Sequence, residues 1–199
     1  EMKRRDWSSD VCSSDLYFIG TGDFTQLFTP KNSIGIVKNK GYVIEAEDLV
    51  YANIRVNAAR SGNNGYNHAG GLVSKGNSAL GKTFRLGAML NPLYDTTLLN
   101  FASILATENG TKVTISNLPI GTILTDGTVI NGPITVTLNK NDSYVLALEN
   151  NNAGGTPSNS AKMIGALVES DKAVAVNAGS FCGSNSTVLS MNQNGQLVP

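Results

Sequence analysis

Histidine and tryptophan each occur once in these 199 residues and cysteine twice, and aromatic side chains make up only 7% of the chain. These shortages exclude several chemistries before any pattern is read. A single His, His68, cannot build a His-based metal cluster, and its stretch SGNNGYNHAGG holds no Ser-His-acid arrangement. Two Cys, Cys12 and Cys182, are too few for a disulfide framework or a Cys-based zinc site. Charged residues are also sparse at 15%, and 15 basic residues balance 15 acidic ones, so no electrostatic footprint for nucleic acid or an anionic membrane exists. No apolar run approaches the roughly 18 residues that a membrane-spanning helix needs.

The run DWSSDVCSSDL near the start has neither the alternation of a strand nor the i, i+3, i+4 spacing of a helix. It is, residue for residue, what the read-2 adapter of short-read DNA sequencing encodes in one frame, and the two preceding adapter bases complete an Arg codon at Arg5. Arg5 to Leu16 are therefore read as a translated scar, and residues 1–16 as an artefactual segment with no place in the fold. On that reading Trp7 and Cys12 leave the inventory, and Cys182 is the one native thiol, either a small buried hydrophobe or the partner of a segment outside the chain. Removing three basic and four acidic residues from 15 and 15 leaves 12 and 11, still near neutral. The native N-terminus and any signal peptide are expected to be lost, and the closing NQNGQLVP to continue into a further strand.

What the rest holds is Gly, Asn, Thr, Ser and Val, a balance that suits strands and turns better than helices. Ten short alternating or apolar runs recur: SIGIVK, GYVIEAE, VYANIRVNA, KTFRLGAML, NFASILAT, TKVTIS, PITVTLN, SYVLALE, MIGALVE and KAVAVNAG. Between them ENGT, TDGT, INGP, NKND and ESDK read as hairpins or tight loops. The fold class is all-β, in tandem antiparallel β-sandwich-like units, with a propeller-like radial repeat as the alternative.

NKGYVIEAE followed by NIRVNA resembles NKNDSYVLALE followed by VAVNAG, which aligns Tyr42 with Tyr144 and Val56-Asn57-Ala58 with Val176-Asn177-Ala178. Two related units are the reading: residues 17–76, lacking their beginning, and residues 77–199, cut at the end. The second carries NNNAGGTPSNS, expected to be a mobile surface loop.

No catalytic, cofactor-binding or metal-ligating set emerges. GKT at Gly81 to Thr83 lacks the spaced Gly of a phosphate loop, most carboxylates, among them Asp126, Asp142 and Asp171, sit at expected turns, and no dense DxDxDG run supports loop-bound calcium. The ligand-facing candidates are loop residues: Asn64, Tyr66 and His68 in the first loop, Asn151, Asn152 and Thr156 in the second.

Three stretches, Ala106 to Thr111, Leu138 to Tyr144 and Ser170 to Val176, resemble motifs of the IgG Fc-binding protein N-terminal type of domain. Ala173 stands where the family usually has Pro, and Met163-Ile164-Gly165-Ala166 where it has Asp-Leu-Thr-Gly. The resemblance covers roughly Leu80 to Pro199 well and the first unit more loosely. It implies a module of large secreted or surface-anchored, adhesin-like proteins of gliding bacteria, with no catalytic residues to carry over. The expectation is a non-enzymatic extracellular or cell-surface module for adhesion or recognition of a protein or glycan ligand. An accessory β domain of a secreted glycan-degrading enzyme and a structural spacer are the alternatives.

Overall fold

A computed structural model describes residues 34–38, 44–45, 47–48, 52–58, 68–88, 95–150, 159–181, 190–191 and 197–198. Among them there is no α-helix. The strands are β1 (Gly35–Val37), β2 (Asn53–Ala58), β3 (His68–Val73), β4 (Leu80–Arg85), β5 (Asp95–Ala106), β6 (Thr111–Ser116), β7 (Ile134–Leu138), β8 (Ser143–Asn150), β9 (Leu167–Phe181), β10 (Ser190–Met191) and β11 (Leu197–Val198). Two 3-10 turns, Gly76–Ala79 and Asn159–Met163, complete the elements. The scar assigned to Arg5 to Leu16, Tyr42 and Cys182 lie outside the described residues.

Seven strands form one antiparallel sheet, ordered β1-β8-β5-β9-β6-β7 with β4 also on β9, and it curls into a nearly closed, barrel-like arrangement. β2 and β3 pair with each other, as do β10 and β11. The all-β reading holds. β1, from the segment assigned to the first unit, hydrogen-bonds to β8, with Ile36 opposite Tyr144.

Alternation explains why these residues form strands. In β6 the side chains of Thr111, Val113 and Ile115 are buried, while Lys112 is exposed and Thr114 and Ser116 are only half-buried. Inward-facing Ala102, Ile104, Leu138, Leu146, Leu148, Val168 and Val174 join them in one core. Leu118, Leu124 and Ile130, from the segment between β6 and β7, and Met163, from the second 3-10 turn, pack into the same cluster. Each such side chain contributes on the order of 1.5–3 kcal/mol by leaving water.

The 15-residue β9 is the spine. β5 runs antiparallel along its C-terminal part, with Ala106 opposite Val174, and β6 along its N-terminal part, with Val113 opposite Ser170. β8 lies beside β5, with Leu105 opposite Ser143, and β7 beside β6, with Thr111 opposite Leu138. Thr107 to Gly110 and Asn139 to Asp142 therefore do not reverse the chain. Each is a jog between two strands that continue in one direction beside the same neighbours. The register shift between Gly81 and Thr83 of β4 falls at the same level of β9. A line of extra residues thus crosses the sheet, the device by which strands turn a corner.

Several expectations change accordingly. ENGT and NKND are jogs rather than hairpins, and ESDK lies inside β9, which fuses the two expected strands MIGALVE and KAVAVNAG and leaves Met163 to Ala166 outside it. TDGT does reverse the chain: Gly127, at φ 87°, donates to the Leu124 carbonyl at 2.9 Å, and Ile123 bridges to Val129. Ile44 and Glu45 of GYVIEAE are not in a strand. His68 to Gly71, expected in a loop, begin β3.

Candidate functional site

The three stretches that carry the family resemblance converge on the corner. From β5–β6 comes Ala106 to Thr111, from β7–β8 Leu138 to Tyr144, and from β9 Ser170 to Val176. Their polar side chains bond the backbone of the adjoining strand. Asp171 Oδ1 accepts from the Lys112 N–H at 2.8 Å, and Asn109 Oδ1 accepts from the Lys140 N–H at 3.0 Å. Thr107 donates through Oγ1 to the Ala173 carbonyl at 2.7 Å, and Lys172 Nζ donates to the Asn109 carbonyl at 2.5 Å. Within the jogs, Asp142 Oδ2 accepts from the Asn139 N–H at 3.1 Å and Thr111 Oγ1 donates to the Glu108 carbonyl at 2.7 Å. Asn141 takes φ 70°, a left-handed conformation that Asn tolerates better than most side chains.

Backbone groups lose their ladder partners wherever strands jog, and here side chains supply replacements. That is why Asn, Asp, Thr and Ser recur at these positions. The corner contains acids and amines, but Asp142 and Asp171 are engaged with main-chain N–H groups, so no acid–base pair is arranged across an open space. Lys82, Lys112 and Lys140 are exposed at the corner, and their amines have no partner among the described residues. The surface can hydrogen-bond to a partner, and among its described residues no nucleophile is hydrogen-bonded to a base.

A second polar cluster lies inside the protein. Asn159 Oδ1 accepts from the Ile123 N–H at 2.9 Å while its Nδ2 donates to the Ile123 carbonyl at 2.7 Å. Asn100, fully buried, donates through Nδ2 to the Ser160 carbonyl at 2.9 Å and accepts from Ser180 Oγ at 2.6 Å. Asn159 and Ser160 end the run read as a mobile loop, yet both are buried. Only residues 151–158 of that run remain as loop candidates. Nothing local in SNS announces burial, since the partners stand 36 and 60 residues away.

Tyr144 is buried, and its hydroxyl has no hydrogen-bond partner among the described residues. Burial, reinforced by the nearby Asp126 carboxylate, raises its pKa above the ordinary tyrosine value. No group of three His, Cys, Asp or Glu that could hold a metal ion occurs among the described residues. None of the described helices is long and apolar enough to cross a membrane.

Of the ligand-facing candidates, His68 is placed by its backbone, paired with Ala58 at the base of the β2–β3 connection. Asn64, Tyr66, Asn151, Asn152 and Thr156 lie outside the described residues. The segments that hold them are anchored at both ends. Residues 59–67 span the Ala58–His68 pair, and 151–158 run from Asn150, paired with Asp95, to Asn159, fastened to Ile123.

No curated protein and no solved structure matches the chain. The family model described as IgGFc binding protein matches residues 70–197, a span that contains β4 to β9 and all three stretches meeting at the corner. With more than half of its length matched, the chain belongs to the IgGFc binding protein family.

Proposed function

We propose that the chain is a non-enzymatic recognition module of a large extracellular bacterial surface protein, built for adhesion to a protein or glycan. On this reading the family-bearing residues maintain the corner, and ligand contact falls to the segments around Asn64, Tyr66 and His68 and around Asn151, Asn152 and Thr156. The observation that carries it is the anchoring of both segments on register-paired or doubly hydrogen-bonded ends. A connection held this way can vary in sequence without disturbing the core, as recognition loops on rigid scaffolds do. Asn, Ser, Thr and Gly there offer donors and acceptors at little cost to packing. Division into two related β units and the scar at Arg5 to Leu16 belong to the same proposal.

The test is binding of the whole chain to a panel of glycans, mucins and immunoglobulin, with glycosidase and peptidase substrates alongside. Replacing residues 59–67 or 151–158 by Gly-Ser sequence of equal length is expected to remove binding. Turnover abolished by a single carboxylate substitution would overturn the proposal.

A further inference from the structure

Three Asn-Gly or Asp-Gly pairs look alike in sequence: Asn109-Gly110 in ENGT, Asp126-Gly127 in TDGT and Asn131-Gly132 in INGP. Such pairs share a covalent hazard. The backbone nitrogen of the glycine can attack the preceding side-chain carbonyl carbon, and glycine offers the least steric resistance. From Asn the attack expels ammonia and closes a five-membered succinimide, which water then opens to Asp or isoaspartate. Atoms balance with water as the only co-reactant, and no oxidant or enzyme is needed. The attack requires the side-chain carbonyl to swing toward the next backbone nitrogen.

The structure separates the three. Asn109 is tied twice, its Oδ1 to the Lys140 N–H at 3.0 Å and its backbone carbonyl to Lys172 Nζ at 2.5 Å. At Asp126, Oδ1 accepts from the Thr128 N–H at 2.9 Å, and the would-be nucleophile, the Gly127 N–H, donates to the Leu124 carbonyl at 2.9 Å. Asn131 and Gly132 are both exposed, lie outside any strand and have no hydrogen bond to another described residue. The same dipeptide at Asn64 and Asn194 lies outside the described residues.

We infer that Asn131 is a site of spontaneous deamidation, converting while Asn109 and Asp126 stay intact. Position gives the change weight. Asn131 stands between Ile130, whose N–H and carbonyl bond Thr122 and Gly121, and β7, which pairs only with β6 among the described strands. Conversion puts a new negative charge beside that strand. In the isoaspartate form it also adds a backbone atom just ahead of it.

The experiment ages the whole folded chain in mildly alkaline buffer at body temperature and maps peptides by mass spectrometry, with fragmentation that distinguishes isoaspartate from Asp. Releasing two ordinary hydrogen bonds slows Asn109 by roughly tenfold or more, so Asn131 is expected to lead by about that factor. After unfolding in denaturant the two sites should convert at similar rates, because the ties at Asn109 are gone. Asn131→Gln should remove the acidic species that peptide mapping assigns to position 131. Conversion of Asn109 in the folded chain as fast as Asn131, or an unchanged ratio after unfolding, would overturn the inference.

Discussion

Asp171 and Lys112, on neighbouring strands β9 and β6, are joined not by their charges but by a 2.8 Å hydrogen bond from the Lys112 backbone N–H to the Asp171 carboxylate. The bond stands in for a ladder bond at the level where the sheet turns its corner. Asp171→Ala is expected to lower the unfolding free energy by about 1 kcal/mol, and Asp171→Asn, which keeps an acceptor, by less. Lys112→Ala, which leaves the backbone N–H in place, should stay within about 0.5 kcal/mol of the parent in the same denaturant titration.

Asn159 tests the interior in the same way. Asn159→Ala removes both bonds to Ile123 and leaves a part-buried N–H and carbonyl unpaired, for a loss of about 2–4 kcal/mol by chemical unfolding. A loss below about 0.5 kcal/mol would mean that the run from 151 to 160 is held by something else.

How far the sequence showed this depends on whether the cause was local. TKVTIS and PITVTLN alternate because one face is buried, and both form strands where alternation put them. HAGGLV escaped notice because its glycines and single Val give little strand signal, yet β3 forms by pairing with β2. ENGT and NKND carry ordinary turn chemistry, and turn chemistry does not say whether the chain reverses or jogs. That is decided by β9, about 60 residues further on from ENGT. Asn159 and Ser160 looked like loop residues for the same reason. The expectation of no catalytic set came from composition, whereas the corner's hydrogen bonds join segments that no single window contains.

Tyr144 gives a pH prediction. Its pKa is raised by burial and then by Asp126, so the folded state holds the phenolic proton more tightly than the unfolded state does. Its contribution to stability is fully present below the ordinary value of about 10 and is lost as pH rises through the higher folded value. Tyr144→Phe should flatten that alkaline loss. With no hydrogen bond to another described residue to forfeit, it should change stability near neutral pH by less than about 0.5 kcal/mol. Thermal unfolding of both proteins across the alkaline range checks both statements.

Gly81 marks a packing limit in β4. A Cβ there would stand 2.9 Å from Phe84 Cζ, and Phe84 packs against the core. Gly81→Ala is expected to cost about 1–3 kcal/mol through displacement of the ring. In a Phe84→Leu background the further cost should shrink, a coupling that a double-mutant cycle reads directly.

The proposed function divides the labour: the family-bearing residues hold the corner and the anchored connections meet the ligand. The most direct measurement sets two whole-chain variants side by side, Asn109→Ala with Asp171→Ala, and residues 151–158 replaced by Gly-Ser. Each is assayed for unfolding free energy and for binding to the glycan, mucin and immunoglobulin panel. The first is expected to lose about 2 kcal/mol while its folded molecules still bind, and the second to keep its stability and lose binding. A corner variant with unchanged stability and no binding, or a 151–158 variant that unfolds or binds as before, would contradict it.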